Sequence, residues 1–257
     1  MKISPEKLDE LIKIVHLAGI EIIKIYKKKV TKKYKSDNTP VTNADIRAND
    51  IICKGLKLHF PEISIVSEEQ VKKGKAAKKF WLVDPLDGTK EFLKGNGEFT
   101  VNIGLIENKK PVFGIIYMPN KNKLYFTKDK KSYFSKLSKK GQLTNIRKIK
   151  VKKRNKNIVI LSRSHSLANS EIEKAKKMIF QRFNANKIIR SGSSIKLCYI
   201  AHGIANVYPR FGTTMEWDTA AGDAILRFAG GRIRTLDRKI LRYGKRNFRN
   251  SSFIARS

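Results

Sequence analysis

The sequence predicts an α/β protein with an α+β first half and an α/β second half. Two amphipathic helices and then a series of strands joined by tight turns fill the first half, whereas helices and strands alternate after about residue 150. The chain has 257 residues, which suffices for a substantial core in one large domain or in two compact halves. We place the boundary between an α+β lobe, 1–150, and an α/β lobe, 151–257.

The α+β lobe is predicted to open with a helix because apolar residues keep helical spacing from Leu8 to Ile25. Its strands follow as short apolar runs, separated by turns rich in Asn, Lys and Pro. The predicted order is helices at about 5–28 and 43–59, strands near 63–67 and 80–84, and a meander at 99–107, 112–118 and 123–127. The basic run 128–156 carries few apolar residues, and we expect it to cross between the lobes.

The α/β lobe is predicted from apolar segments that alternate between strand and helix periodicity. The predicted order is a strand at 158–161, a helix at 170–182, a strand at 187–190, a helix at 193–202, a strand at 206–209, a helix at 218–229 and a final pair of strands. Cys53 and Cys198 lie in apolar helical contexts, so we expect reduced core thiols of a cytoplasmic protein and no disulfide. The chain opens on an amphipathic helix and has no apolar stretch of membrane-spanning length, so we expect neither a signal peptide nor a membrane span.

The formal net charge of +34 suggests a different class of function, that of a nucleic-acid-binding protein. The lysines are spread through the first 190 residues, however, and no nucleic-acid-binding motif accompanies them. Lysine, isoleucine and asparagine have AT-rich codons and supply 89 of the 257 residues, so we attribute the surplus to codon bias. We expect no specific nucleic-acid partner. Weak, salt-sensitive association with RNA or anionic lipid is expected, including peripheral contact with the cytoplasmic face of the inner membrane.

The most informative motif joins an apolar run at 80–83, typical of a buried strand, to two carboxylates, Asp84 and Asp87. The proline between them removes a backbone donor and fixes one dihedral angle, so we expect a sharp turn where the strand ends. Both carboxylates can then face one point beside the carbonyl oxygen of Leu86, and three hard oxygen ligands suit Mg²⁺. The N–H groups of residues 88–90, at the start of a short helix, would form an anion seat beside the metal. The alternative is that both aspartates merely cap N–H groups of a turn.

Further candidate positions are ambiguous when each is taken alone. Glu68 follows a β-rich run, where an acidic pair is typical of a solvated turn. Asp218 stands at a predicted helix N-cap, and Asp45 opens another helix after a turn, both of which are favourable without any function. Ser193, before an apolar helix, and Lys196, one turn later, could hold an anion or only cap the helix.

Taken together and in this order, these residues belong to motifs that extend along the whole chain. The motifs are SEE at 67–69, WLVDPLDGTKEF at 81–92, NGEFTVN at 96–102, SRSH at 162–165, SGSSIK at 191–196, YPRFG at 208–212 and WDTAAG at 217–222. With them the chain resembles the inositol monophosphatase superfamily of Mg²⁺-dependent, lithium-sensitive phosphatases, and within it the bacterial CysQ-type 3'(2'),5'-bisphosphate nucleotidases. The resemblance implies a layered αβαβα sandwich of the inositol monophosphatase and fructose bisphosphatase type.

The resemblance also implies which residues form the site. The metal ligands would be Glu68, Asp84, the carbonyl of Leu86, Asp87 and Asp218, around two or three Mg²⁺ ions. The attacking water would be positioned by Asp45, Glu68 and Thr89. The cleaved phosphate would contact Glu68, Leu86, Asp87, Gly88, Thr89 and Asp218, and the rest of the nucleotide would contact His165, Ser193, Lys196 and Arg210. Most metal ligands would thus lie in the α+β lobe, and the nucleotide-binding residues in the α/β lobe.

The activity that the resemblance implies is direct hydrolysis of a phosphate monoester without a covalent intermediate. The substrate would be adenosine 3',5'-bisphosphate, its 2',5' isomer or 3'-phosphoadenylyl sulfate, and the products would be phosphate and AMP or adenylyl sulfate. This reaction clears a by-product of sulfate assimilation. An inositol monophosphatase of the same fold is the alternative, and it would have no use for Ser193, Lys196 and Arg210 at a second phosphate.

Overall fold

The computed structural model describes residues 3–28, 32–34, 40–71, 76–163, 178 and 180–257, with the backbone alone at 32–34 and 40–41. The predicted site residue His165 and most of the predicted helix at 170–182 lie outside these residues. Among the described residues, no helix combines the length and the apolar character needed to cross a bilayer.

Two packed helices form the first layer, α1 (Pro5–Tyr26) and α2 (Asn43–His59). Ser4 is the N-cap of α1, and its hydroxyl accepts a hydrogen bond from the N–H of Lys7 at 3.3 Å. The apolar face of α1 is buried together with that of α2 against the sheet that follows. A two-stranded ribbon precedes α2, with β1 at Lys32–Tyr34 and β2 at Pro40–Thr42. The sequence did not predict these two strands.

The second layer is a seven-stranded sheet whose strands follow one another in chain order. The first two strands are parallel and all the others antiparallel. Its strands are β3 (Ser64–Ser67), β4 (Lys79–Asp87), β5 (Thr100–Glu107), β6 (Lys110–Met118), β7 (Lys123–Lys128), β8 (Lys131–Leu137) and β9 (Leu143–Ile149). On β4, Trp81 and Val83 pack towards α1 and α2, whereas Phe80 and Leu82 pack on the opposite face. The apolar run at 80–83 is therefore buried on both sides.

The expected crossover at 128–156 is wrong, because β8 and β9 extend the sheet there. On β8, Ser132, Ser135 and Leu137 are buried while Lys131 and Lys136 are exposed. Two of the buried residues are thus serines, and the hydroxyl of Ser132 donates to a helix carbonyl at 2.6 Å. These serines, together with a β-bulge between Phe134 and Lys136, hide the period of two that normally predicts a strand.

A third layer of helices and a fourth layer, a five-stranded sheet, complete most of the fold. The helices are α4 (Ile195–Ala201) and α5 (Glu216–Phe228), while α3 (Thr89–Leu93) is a short helix after β4. The sheet has the order β11-β10-β12-β16-β14, with β10 (Asn157–Ser162), β11 (Ala185–Ser191), β12 (Val207–Arg210), β14 (Arg232–Thr235) and β16 (Phe253–Arg256). Strands β13 (Thr214–Met215) and β15 (Arg249–Asn250) form a separate antiparallel pair.

The fifth layer is represented by the end of a helix at residues 180–183. Phe183 packs there against Val159 and Val207, on the face of the five-stranded sheet that points away from α5. The order of layers is therefore αβαβα, and the predicted fold class is confirmed. Cys53 and Cys198 are free and buried, as expected.

Helix α5 approaches the seven-stranded sheet closely because two paired glycines leave room for it. Gly104 and Gly114 are opposite each other on β5 and β6. A Cβ atom at Gly114 would lie 2.2 Å from the carbonyl oxygen of Ala221, and one at Gly104 would lie 2.8 Å from the Cβ of Ala220. The close approach brings the first turn of α5, which contains Asp218, against the sheet. One core thus includes side chains from both sides of residue 150, and the division into two lobes stays a prediction.

Candidate active site

The sequence predicted that β4 ends at Asp84, but the strand continues to Asp87 through a β-bulge. Asp84 pairs with Asn102 and Asp87 with Thr100, so two residues of β4 oppose a single residue of β5. The bulge accommodates Pro85, which could not donate to a regular ladder, and it re-aims the side chains on either side. The expected sharp turn is therefore wrong, although both carboxylates still line one cleft.

A cluster of three carboxylates occupies one end of this cleft. Oxygen atoms of Glu68, Asp84 and Asp218 lie within 4.8 Å of one another. They come from a short 3₁₀ turn after β3, from β4 and from the first turn of α5. Burial, followed by the charges of Glu68 and Asp87, raises the pKa of Asp84 well above its usual range. Burial and the charges of Asp87 and Glu68 likewise raise the pKa of Asp218.

The cluster has the composition of a site for a hard divalent cation. Buried carboxylates that face one another are unstable as anions unless a cation or a proton neutralises them. All donors are oxygen atoms, which suits Mg²⁺ or Ca²⁺ and not a soft metal. The carbonyl of Leu86 also lines the cleft, and the N–H of the same residue donates to Asp84 Oδ1 at 3.1 Å. These residues therefore fit a bound metal ion.

The sequence predicted Asp218 as the N-cap of α5. In the structure Met215 is the N-cap, and Asp218 is the third helical residue. Its Oδ2 atom accepts a hydrogen bond from the N–H of Met215 at 2.9 Å. Asp45 has the same position in α2, where its Oδ2 atom accepts from the N–H of Thr42 at 2.8 Å and from the Thr42 hydroxyl at 2.6 Å. Both helices thus fix an aspartate through their own N-terminal hydrogen bonds.

Thr89 connects Asp45 to the cleft. Its hydroxyl lies 3.4 Å from Asp45 Oδ1 and 3.3 Å from the carbonyl oxygen of Leu86. Asp45 is buried, and burial raises its pKa to about 6 in spite of the hydrogen bonds from Thr42. Thr89 lines the cleft directly, whereas Asp45 lies behind it.

Gly88 shapes the turn between β4 and α3. Its φ of 93° lies in the left-handed region, and an added Cβ would be 3.0 Å from the carbonyl oxygen of Glu98 and 3.2 Å from the Cβ of Ser193. Glycine has no side chain to cap α3, so the first N–H groups of that helix are left for other partners. Gly88, Thr89 and Lys90 all line the cleft, as the predicted anion seat requires.

Another part of the cleft is basic, and we call it the basic end and the part with the three carboxylates the acidic end. Lys196 is only 4% exposed, its Nζ donates to the carbonyl of Ser193, and it lies 5.3 Å above the ring of Tyr208. Burial, reinforced by the nearby charge of Arg210 and opposed by that of Asp87, lowers the pKa of Lys196 to about 8. Arg210 donates from Nη2 to a carbonyl at 2.9 Å, but its buried Nε has no hydrogen-bond partner within the described part of the chain.

Asp87 connects the two ends of the cleft. Its Oδ2 atom accepts a hydrogen bond from the N–H of Ser194 and another, at 3.4 Å, from Asn102. The hydroxyl of Ser194 in turn donates to Asn102 Oδ1 at 2.8 Å. The sequence analysis did not single out Ser194 and Asn102, although both lie inside motifs that carried the resemblance.

A second pair that the sequence analysis missed supports the loop before α4. Arg163 donates from Nε and Nη2 to both carboxylate oxygens of Glu98, at 2.8 and 3.0 Å. The same carboxylate accepts the N–H of Gly192 at 2.7 Å. Arg163 belongs to the SRSH motif, so part of that motif positions the loop next to Ser193, whose φ of 44° is strained for a serine.

Both ends belong to a single cleft with a volume of about 300 Å³. Of the residues predicted for the site, it is lined by Glu68, Asp84, Leu86, Asp87, Gly88, Thr89, Ser193, Lys196, Arg210 and Asp218. The roles of these residues stay predictions, but their convergence from the two halves of the chain agrees with the resemblance.

Comparison with known proteins identifies the family. The sequence model of the inositol monophosphatase family matches residues 5–257. The chain belongs to the inositol monophosphatase family. This family membership accounts for the layered fold and for the carboxylates at the end of β4.

Relatives within the inositol monophosphatase family carry a more specific name. The 3'(2'),5'-bisphosphate nucleotidase CysQ of Buchnera aphidicola is 42% identical over 256 residues, which cover 96% of this chain and 92% of the relative. The protein of the same name from Escherichia coli K12 is 38% identical over 252 residues, covering 96% and 98%.

Solved structures agree with this placement. CysQ from Bacteroides thetaiotaomicron, described as a bacterial member of the inositol monophosphatase family, superposes with a TM-score of 0.80 at 36% identity and 96% coverage of both chains. An inositol monophosphatase of Thermotoga maritima has a TM-score of 0.77 at 21% identity, covering 98% of this chain and 92% of that one. The second likeness concerns the fold alone.

Proposed function

We propose that this protein is a 3'(2'),5'-bisphosphate nucleotidase that hydrolyses adenosine 3',5'-bisphosphate to AMP and phosphate. The proposal extends to the 2',5' isomer and to 3'-phosphoadenylyl sulfate, and to a role in clearing a by-product of sulfate assimilation. The observation that carries it is a single cleft with carboxylates in one part and, in another, a buried lysine and a partly exposed arginine whose Nε is buried. A substrate with one phosphate to cleave and another to hold matches both ends.

The acidic end would hold two or three Mg²⁺ ions through Glu68, Asp84, Asp87, Asp218 and the carbonyl of Leu86. Bound magnesium would supply a Lewis acid for the phosphoryl oxygens and a lowered pKa for a coordinated water. The chemistry of the donor set supports this assignment, because all donors are oxygen atoms and none of the donor residues is fully exposed.

Thr89 and Asp45 would orient and deprotonate the attacking water. The Thr89 hydroxyl lies within reach of Asp45 Oδ1, so its lone pairs can accept a proton from water while its own proton moves towards the carboxylate. With a pKa of about 6, Asp45 is mostly ionised at neutral pH and can act as acceptor. The N–H groups at the start of α3, after Gly88, would bind the developing charge on the phosphoryl oxygens.

The basic end would bind the phosphate that is not cleaved. Arg210 has a buried Nε without a hydrogen-bond partner in the described chain, which a phosphate oxygen would satisfy. Lys196 and Ser193 lie beside it and would complete the contacts. His165, which lies outside the described residues, is proposed for the same phosphate or the nucleoside on the resemblance alone.

The test is a comparison of kcat/KM for adenosine 3',5'-bisphosphate and for inositol 1-phosphate, with Mg²⁺ and with excess chelator. We expect strong preference for the bisphosphate, loss of turnover without Mg²⁺, and inhibition by millimolar lithium. Equal or better turnover of inositol 1-phosphate would instead make the protein an inositol monophosphatase. Turnover that persists in chelator would contradict the metal assignment.

A further inference from the structure

A second basic cavity lies on the outward face of the five-stranded sheet. It has a volume of about 620 Å³, and five arginines line it: Arg182, Arg232, Arg234, Arg238 and Arg256. We call these five residues the arginine basin. The basin shares no lining residue with the catalytic cleft, although β16 serves both, with Phe253 in the cleft and Arg256 in the basin.

The arrangement of these arginines is unfavourable without a ligand. Arg232 and Arg256 are directly opposite each other on the antiparallel strands β14 and β16, where like charges destabilise a sheet. The residues beside them, Ile233 and Ala255, are buried on the other face, so both guanidinium groups share the outward face. Arg182 comes from the helix end at 180–183 and approaches the same place.

Arg256 shows the effect of this crowding most clearly. Its guanidinium lies 5.4 Å from the centre of the Phe183 ring, and that of Arg182 lies 5.9 Å from the same ring. Burial and the charges of Arg232 and Arg182 lower the pKa of Arg256. Three positive groups are therefore held close together by a buried aromatic ring and a strand pairing.

Within the described residues, no carboxylate lines the basin. Asp237, in the adjoining turn, is engaged by Lys239 at 2.8 Å. The lysine surplus does not explain the cluster either, because residues 227–257 contain eight arginines and only two lysines. Codon bias towards lysine, to which we attribute the lysine surplus elsewhere, would favour the opposite ratio here.

We propose that the arginine basin binds a small soluble anion that carries two or more phosphate groups. Guanidinium groups present a planar fork that matches phosphate oxygens and holds them in fixed geometry. The basin is concave, and its volume falls in the range of small-molecule sites, about 300–1,000 Å³. Several negative charges are needed to neutralise the five arginines of the basin, and one polyphosphate carries several such charges close together. This site is separate from the proposed nucleotidase reaction and does not depend on it.

The test uses inorganic tripolyphosphate, titrated calorimetrically into the full-length protein in the presence of chelator. The variant Arg232→Gln/Arg256→Gln removes the opposed pair, and Arg242→Gln/Arg246→Gln is the matched control, because it removes the same charge from exposed arginines outside the basin. We expect the first variant to bind about 10²-fold more weakly and the control to change less than about threefold. The first variant should also have a higher Tm than the wild type without ligand, since the cross-strand repulsion is relieved.

Other binding places and other ligands give distinguishable results. Lys196→Ala/Arg210→Ala removes any binding in the catalytic cleft and should keep the tripolyphosphate binding that depends on Arg232 and Arg256. Complete loss of binding in that variant would place the anion in the cleft and overturn the proposal. Equal losses of tripolyphosphate affinity in the basin variant and the matched control would show that binding depends only on the net charge of the protein, which would contradict a specific site. Vesicles of phosphatidylcholine and phosphatidylserine, and a single-stranded RNA oligonucleotide, form two further arms. If either requires Arg232 and Arg256 while tripolyphosphate does not bind, the small-anion assignment is wrong.

Discussion

The acidic and basic ends of the catalytic cleft both contain buried charge, but the two are held in different ways. At the acidic end, Asp218 and Asp87 accept backbone N–H groups, and the cluster is fixed by helix starts and a β-bulge. At the basic end, and among the described residues, Lys196 donates to the carbonyl of Ser193 and the buried Nε of Arg210 has no hydrogen-bond partner. The acidic end is therefore held in place for the proposed cation, whereas a phosphate oxygen would give the Nε of Arg210 a partner at the basic end. We infer that the first determines the rate of the chemistry and the second determines the choice of substrate.

The largest effect is expected at the acidic end. Asp87→Asn or Asp218→Asn should lower Mg²⁺-dependent kcat by about 10²–10⁴-fold, or about 3–5 kcal/mol, on every phosphate ester, because each change would remove the charge of a proposed metal ligand. The fold should survive, since an amide oxygen can still accept the N–H of Met215 or Ser194. Measured kcat on a bisphosphate and a monophosphate, with the Tm in chelator, checks both points. Asp237→Asn, in an exposed turn, is the control. Near-normal turnover would remove the altered residue from the metal site.

Changes at the basic end should be smaller and selective. Lys196→Ala or Arg210→Ala should reduce kcat/KM for adenosine 3',5'-bisphosphate by about 10–100-fold, which corresponds to a charge-assisted contact of about 1.5–3 kcal/mol. Hydrolysis of a simple monophosphate ester should fall much less, because it has no second phosphate. Lys90→Ala, at an exposed lysine on the same cleft, is the matched control. Equal losses of kcat/KM on both substrates would show that the basic end does not determine the choice of substrate.

The pH dependence should separate the two ends without any substitution. Lys196 is charged below its pKa of about 8 and loses its charge as the pH rises through that value. The ratio of kcat/KM for the bisphosphate to that for a monophosphate should therefore be constant below about pH 7 and decline above about pH 8. In Lys196→Ala the decline should vanish. A ratio that stays flat in the wild type would mean that the charge of Lys196 does not contribute to substrate choice.

The smallest effect is expected from the surface lysines. Exchanging the exposed Lys139, Lys140, Lys148 and Lys150 for glutamine should change bisphosphate turnover less than about twofold, because exposed charges at a distance are screened by salt. Binding of a scrambled oligonucleotide should weaken in the same variant, and should fall by orders of magnitude between about 50 and 200 mM salt. Salt-resistant, sequence-selective binding to one nucleic acid would restore the alternative of a nucleic-acid-binding protein.

Local pattern was sufficient to predict some parts of the molecule and insufficient for others. The apolar run before Asp84 and the bounds of α2 depend on neighbouring residues, so the sequence identified them directly. Strand β8 was not predicted because two of its buried residues are serines, and strand β9 was not predicted because five of its seven residues are exposed. The bulge at Pro85 resembled an ordinary turn. Asp218 was placed at the N-cap because Asp suits both that position and the third position of a helix.

Long-range contacts set the remaining limit. The N–H of Ser194 meets Asp87 across 107 positions of the chain, and Arg163 meets Glu98 across 65. No periodicity or spacing in a single sequence reports such pairs. The resemblance located the motifs that contain these residues, but only the folded chain shows which of them touch.

The paired glycines beneath α5, Gly104 and Gly114, make the position of an active-site residue depend on the middle of the sheet. A methyl group at Gly114 would collide with the backbone of Ala221, so the helix would have to rise or tilt and take residue 218 with it. We therefore expect substitutions at Gly114 to lower turnover, although this glycine is buried and does not line the cleft. Harmful variants of this protein need not cluster around its cleft. Gly114 can therefore be as sensitive to substitution as a residue that binds metal or substrate. A method that judges sensitivity by the distance of a residue from the active site would miss it.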